Sequence, residues 1–193
     1  MKFLLVGLGN IGEEYAHTRH NIGFDVLDAV AAKHGIAFRT DRYAEVAEMK
    51  LKGKQLILIK PSTYMNLSGK AVKYWMDKEK ISIDQVLVIV DDLAIPLDKL
   101  RMRSSGSDAG HNGLKSIQEL LLTDAYPRLR FGIGDAFPKG KQVDFVLGKW
   151  SAAELPMVKQ KIDYCIGAIE SFVLIGLEKT MNEVNRYRAN AAI

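Results

Sequence analysis

The chain of 193 residues carries a formal net charge of +4, a sequence pI near 9.0 and a single cysteine. Hydrophobic residues at 48% and charged residues at 26% are the proportions of an ordinary folded protein, which excludes a disordered or low-complexity chain. Cys165 alone leaves no partner for an intrachain disulfide and no thiolate metal cluster, and the longest apolar segment, 165–177, holds Glu170 and is too short to cross a bilayer.

The expectation is one cytoplasmic domain over residues 1–193. The first apolar stretch, residues 3–6, is short and ends in glycines, unlike a signal peptide. It reads as a buried strand over 2–6. Phe24, Leu27, Val30 and Ala31 recur at helical spacing and Gly35 supplies a stop, so the spacing predicts a helix over 22–34. Residues 44–51 and 55–60 flank Lys52-Gly53-Lys54 as a predicted hairpin that ends at Pro61. A helix over 67–78 would bury Val72, Trp75 and Met76. The β-branched run 86–90 has the pattern of a central strand. Residues 100–103 and 129–133 are further strands. Between them lies a helix through Leu114, Ile117, Leu120 and Leu121 that starts after Gly110-His111-Asn112-Gly113. The tail holds a helix over 152–174 and a short basic one over 179–188. Strands alternating with helices, interrupted by one hairpin, predict an α/β three-layer sandwich with a twisted mixed β-sheet flanked by helices. Ligands then gather beyond the carboxyl ends of the strands.

Gly7-Leu8-Gly9-Asn10-Ile11-Gly12 spells G-x-G-x-x-G directly after the first strand, the spacing of a dinucleotide site. Its context is wrong for one. Glu13 and Glu14 would repel a pyrophosphate, and the next apolar segment is helical where a second strand is needed. The glycines instead let the chain turn off the strand end and present Asn10 at the edge of the sheet.

Four segments put unusual polar residues past a predicted strand or at a helix start: Asn10 with Tyr15 and His20; the run Pro61-Ser-Thr-Tyr64-Met65-Asn66-Leu-Ser68-Gly69; Asp91-Asp92; and Gly110-His111-Asn112-Gly113. On the predicted topology they converge on one face. This inventory has histidine and aspartate for a base and its orienter, and asparagines as neutral donors and acceptors. It lacks a G-x-S-x-G serine, a Gly-Lys followed by Ser or Thr, and a cysteine placed as a nucleophile. Water is therefore the favoured nucleophile, with His20 taking its proton and Asp91 fixing the tautomer. Plain structural roles stand beside these: His20 as a surface or capping residue, Asp91 and Asp92 as turn caps, Asn66 and Asn112 as helix N-caps. His17 raises a metal pair with Asp91 or Asp92, against which stands the lack of a helical H-E-x-x-H and of thiolates. His34, beside Gly35, is read as a helix-end residue.

The motifs GLGN-x-G-x-x-Y-x-x-T-R-H-N-x-G, P-x-T-Y-M-N-x-S-G-x-x-V, D-D-L, G-H-N-G-L-K-S, R-L-R-F-G-I-G and F-V-L-G-K, in this order from Val6 to Lys149, resemble those of bacterial peptidyl-tRNA hydrolase. The resemblance implies that His20 is the catalytic base and Asp91 the carboxylate orienting it. It implies that Asn10 and Asn66 contact the ribose ester and the peptide, and that Asn112 helps hold the water. Tyr15, Tyr64 and Met65 would line the crevice, while Arg103 and Arg130 would grip a tRNA phosphate. It further implies an α/β globule, active as a monomer without metal or cofactor, with tRNA as partner and no membrane. Ile11, Val90, Ala94 and the segment Arg103-Ser104-Ser105-Gly106-Ser107 depart from the family pattern, which has proline, histidine, aspartate and a more glycine-rich loop there. Lys99, Arg101, Arg103, Arg128 and Arg130 occupy alternate positions on two predicted strands, with Lys139 and Lys141 in the following loop, so they read as a phosphate-contacting strip. The rival readings are a non-catalytic RNA-binding protein on the same fold and a metal-dependent hydrolase.

Overall fold

Leu4 and Val6 of the first strand, β1 (Lys2–Gly7), face one core, and Phe3 and Leu5 face another. A strand covered on both faces needs no polar alternation, which accounts for the unbroken apolar run. The structure, a computed structural model, describes residues 1–190. After β1 come α1 (Ile22–His34), β2 (Arg39–Asp41), β3 (Ala44–Leu51), β4 (Lys54–Pro61), α2 (Ser68–Glu79), β5 (Val86–Asp92), β6 (Leu100–Arg103), α3 (Asn112–Leu121), β7 (Arg128–Gly132), α4 (Gln142–Val146), α5 (Leu155–Ile175) and α6 (Leu177–Val184). Short 3-10 turns at Glu13–Tyr15, Arg19–Asn21, Met65–Leu67 and Ile83–Gln85 fill the connections.

The strands form one mixed sheet in the order β2-β3-β4-β1-β5-β7-β6. β4, β1, β5 and β7 run parallel, while β2, β3 and β6 pair antiparallel at the two sides. The carboxyl ends of the four parallel strands therefore share one edge; the polar segments after β1, β4 and β5 leave from it, and the segment 110–113, which follows the antiparallel β6, returns to it through His111. On one face α1, α5 and α6 cover Leu5, Leu58, Ile89, Leu129 and Phe131; on the other α2 and α3 cover Val6, Ile57, Ile59, Val88 and Val90. Each such side chain taken fully out of water contributes about 1.5–3 kcal/mol. Among the described residues no helix is long and apolar enough to cross a membrane.

Two buried polar features shape the α5 side. Lys161 is fully buried and donates to the carbonyls of Leu97 and Gly132 at 2.6 and 2.7 Å, with Nζ 3.9 Å from the Phe131 ring centre. Burial pushes its amine down to about 7. Beneath it, burial pushes the Cys165 thiol up to about 12 against the pull of Lys161.

Several predicted boundaries move. The tail helix begins at Leu155 because residues 151–154 form a turn in which Ser151 and Glu154 bond each other. The last helix stops at Val184, and Asn185 instead pairs its side chain with both backbone groups of Met102, covering the free edge of β6. β2 and α4 went unpredicted. One is three residues of charged and polar side chains, the other a single turn and a half with no fully buried residue.

The first turn of α1 rests directly on the end of β1. A Cβ on Gly23 would lie 2.4 Å from the Leu8 nitrogen and 2.7 Å from the Ile89 oxygen, and one on Gly7 would lie 2.3 Å from the Gly23 oxygen. Only glycine permits this approach, and it sets where the residues just before α1 lie. Gly23→Ala is accordingly expected to cost about 3 kcal/mol of stability, at the upper end for overpacking, read as a lowered urea midpoint at unchanged slope.

Candidate active site

β1 delivers the chain to Asn10, and the residues before α1 turn back to hold it. Asn21 is buried, accepts the Asn10 N–H at 2.8 Å through Oδ1 and donates through Nδ2 to the Asn10 carbonyl at 3.0 Å. The Asn10 side chain accepts the Met65 N–H at 2.8 Å through Oδ1, tying the end of β1 to the segment after β4. Its Nδ2 has no partner among the described residues.

His20 lies in the turn Arg19–Asn21. Its Nδ1 is 2.9 Å from Asp91 Oδ2, which leaves Nε2 directed away from that bond. Asp91 closes β5 and is buried. Its other oxygen meets His111 Nε2 at 2.8 Å. His111 is the N-cap of α3, where its Nδ1 accepts the Gly113 N–H at 3.1 Å. An Nδ1 that accepts must be unprotonated, so the proton sits on Nε2 and His111 is a neutral donor to Asp91. The two rings are 4.8 Å apart between centres.

The electrostatics follow from these bonds. Burial alone would lower the His20 pKa, but the charge of Asp91 and its hydrogen bond outweigh it, and the pKa lies above the ordinary 6.5. Burial alone would raise Asp91, but His111 and His20 together hold it well below the usual carboxylate range. The carboxylate is therefore ionised and the proton of the pair resides on the imidazole.

A pocket of about 180 Å³ opens beside this pair, lined by His20, Asp91, Asn112, Arg130, the 108–111 loop and Val143 and Val146 of α4. Asn10 lines a neighbouring pocket. Met65 is buried under α3, whose Gly113 has room for no Cβ beside the Met65 sulfur. Tyr64, Asn66 and Asn112 are exposed, and Tyr15 is half-buried. The structure thus brings His20, Asp91, Asn112 and Arg130 to one cavity and bonds Asn10 to Met65 next to it; Tyr15, Tyr64, Asn66 and Arg103 are not part of its lining.

Some expectations are corrected. Asn112 does not cap α3, because His111 does, and Asn66 caps nothing: α2 starts without a side-chain cap. Of the two aspartates, Asp92 has the turn-capping role, accepting the Ala94 N–H at 2.8 Å. His17 bonds Asp25 at 2.9 Å and is not paired with Asp91 or Asp92. The arginines of β6 and β7 do share one face, since Arg101 pairs with Arg130 and Arg103 with Arg128. Arg128, however, is fully buried and spends its guanidinium on the carbonyls of Asp124, Gly106 and Tyr126, so it belongs to the loop scaffold and not to the strip. Arg130 bonds Asp92 at 3.2 Å and the Ser107 carbonyl at 3.1 Å; Arg103 is exposed. The sequence reading missed His111 and Asn21. The G-H-N-G and R-H-N motifs contained them, yet a cap and a helix-start residue look alike in sequence whatever they support.

His20, Asp91 and His111 also form a group of three potential metal ligands whose donor atoms lie within 4.8 Å of one another. One nitrogen of each imidazole is already engaged with the carboxylate, and the second of His111 accepts the Gly113 N–H.

A family model described as peptidyl-tRNA hydrolase matches residues 4–192. A peptidyl-tRNA hydrolase of Phocaeicola vulgatus is 55% identical over 96% of this chain and 100% of its own length, and one of Cytophaga hutchinsonii is 54% identical over 96% and 98%. The crystal structure of peptidyl-tRNA hydrolase from Acinetobacter baumannii superposes with a TM-score of 0.91 at 33% identity, covering 96% of this chain and 95% of that one. A shared sheet, matching motifs and near-complete mutual coverage lead to one conclusion: this chain belongs to the peptidyl-tRNA hydrolase family.

Proposed function

We propose that His20 activates water to hydrolyse the ester between a peptide and the 3′ ribose of tRNA, and that residues 1–193 act as one domain and as a monomer in recycling tRNA for translation. The observation that carries this reading is the 2.9 Å bond between His20 Nδ1 and the buried Asp91, beside a pocket that Arg130 also lines. Nδ1 bears the proton in that bond, so the Nε2 lone pair is the base. It takes a proton from water as the water oxygen attacks the acyl carbon. The tetrahedral intermediate then collapses, and the imidazolium returns the proton to the departing ribose oxygen. Asp91 stabilises the cation between these steps. Asn10, with Oδ1 committed to Met65, offers Nδ2 to the developing oxyanion. Asn112 helps hold the water.

Met65, Tyr15 and Tyr64 flank the acyl chain, and Asn66 pairs with the first peptide amide. An aminoacyl ester carries an ammonium there and would leave that asparagine unsatisfied, which disfavours the wrong substrate. Arg130, and Arg103 farther down the same sheet face, contact tRNA phosphates. A metal ion held by all three groups would have to displace a hydrogen bond of His111, both of whose ring nitrogens are engaged, so the reaction is read as metal-independent.

On N-acetylated aminoacyl-tRNA, His20→Ala is expected to lower kcat by about 10²–10⁴ with the fold intact, and chelator to leave wild-type activity unchanged; a His20→Ala enzyme of normal kcat would refute the assignment. Wild-type kcat should rise with pH through a transition above 6.5, because the base must be unprotonated and Asp91 raises its pKa. Asp91→Asn removes that charge but not the burial, so the transition should move to lower pH while kcat falls. Arg103→Ala should raise KM and reduce the slope of log KM against log salt by about 1. Arg130→Ala should raise KM further, since it also unmasks the carboxylate of Asp92.

A further inference from the structure

Helix α4 is five residues long, too short to persist by its own hydrogen bonds, and it buries no residue completely. Val143, on the pocket side, is 67% exposed. Phe145 and Val146 pack against the core, Phe145 meets the Phe137 ring, and one side chain from the neighbouring turn ties this wall by polar bonds. Arg19 sends Nη1 to the Phe145 carbonyl at 3.1 Å, near the carboxyl end of α4, where a cation is favoured. Its Nη2 reaches Glu154 Oε1 at 2.8 Å, ahead of α5. The guanidinium lies 4.2 Å from the Phe145 ring centre and 5.3 Å from that of Trp150. The backbone repeats the connection: the Arg19 N–H donates to the Gly148 carbonyl at 3.0 Å, and Thr18 bridges to Lys149. Gly148 leaves the path open, since a Cβ there would sit 2.9 Å from Arg19 Nη1. The T-R-H and F-V-L-G-K motifs thus meet in space, and the residue after Arg19 is His20.

We propose that Arg19 is a positioning residue that locks α4, one wall of the catalytic pocket, to the turn bearing His20, so that the width of the pocket is set relative to the base. The fork of a guanidinium suits this task, because one planar group grips a carbonyl and a carboxylate and stacks on an aromatic face at the same time. With the lock gone, α4 samples displaced positions, and the fraction of enzyme ready to bind falls. Apparent affinity falls in proportion to that fraction, while a bound substrate reacts at the same imidazole. The effect therefore falls on KM. The inference rests on the pocket being the substrate site, as proposed above. His20→Ala tests that reading separately: if it stays active the site assignment falls, and if it is inactive the outcomes below judge Arg19 alone.

The experiment compares Arg19→Met, Arg19→Lys and Gly148→Ala by steady-state kinetics on N-acetylated aminoacyl-tRNA, by the pH profile of kcat and by amide hydrogen exchange. Arg19→Met keeps apolar packing on the rings and loses the fork and its charge; about a tenfold rise in KM is expected, with kcat within about twofold, an unmoved pH transition and faster exchange confined to residues 142–148. Arg19→Lys should fall between this variant and the wild type. Gly148→Ala, whose Cβ would crowd the guanidinium and the Asp144 and Phe145 carbonyls of α4, should raise KM in the same direction, and Arg19→Lys decides the matter should Arg19→Met fail to fold. KM within about twofold of wild type in the folded variants overturns the proposal, as does a fall in kcat accompanied by a displaced pH transition.

Discussion

A single carboxylate, taken out of water at the end of β5, is what the rest of this structure must satisfy. Removing a charge from solvent costs several kcal/mol unless hydrogen bonds replace the hydration. Here two imidazoles do so, one on each oxygen of Asp91. They come from residues 71 and 20 positions away in the chain, so the arrangement exists only when the sheet, the start of α1 and the start of α3 are all in place. His111 contributes a neutral donor whose tautomer is fixed by its own capping bond, and His20 is then the partner free to gain and lose a proton. Two similar side chains on one carboxylate are thereby given different work.

The parallel centre of the sheet explains why so few residues suffice. Because β4, β1 and β5 end at one edge, the segments after them are neighbours without any long excursion of the chain. Side-chain amides then lock these segments together: Asn21 holds Asn10, and Asn10 holds Met65. Both asparagine side chains are paired with backbone, which ties the segments together and leaves the Asn10 Nδ2 available. The basic face adjoins the site on the β7–β6 ladder, β7 pairing directly with β5, where Arg128 supports the loop over which Arg130 reaches.

Much of this was legible in the sequence, for identifiable reasons. Strands buried on both faces write themselves as apolar runs, so β1 and β5 were found nearly residue for residue. His20 and Asp91 were candidates because a histidine and an aspartate at strand ends can serve as a base and its orienter, and the family resemblance, not the local pattern, set them apart from surface and turn-capping roles. Periodicity is nearly silent about short elements that bury no residue completely, which is why β2 and α4 were missed. It is equally silent about a side chain whose importance lies in its second hydrogen bond, as with His111 and Asn21. Arg128 was misjudged because alternation gives the face of a strand but not whether a loop folds over it.

The lone thiol has a practical consequence. Burial raises Cys165 to about 12, far from the thiolate form that attacks electrophiles. Maleimides therefore find no accessible native thiol in the folded protein. A cysteine engineered into an exposed position such as Val143 would be labelled alone, and a fluorophore attached there would watch the catalytic cleft without removal of any natural residue from the interior.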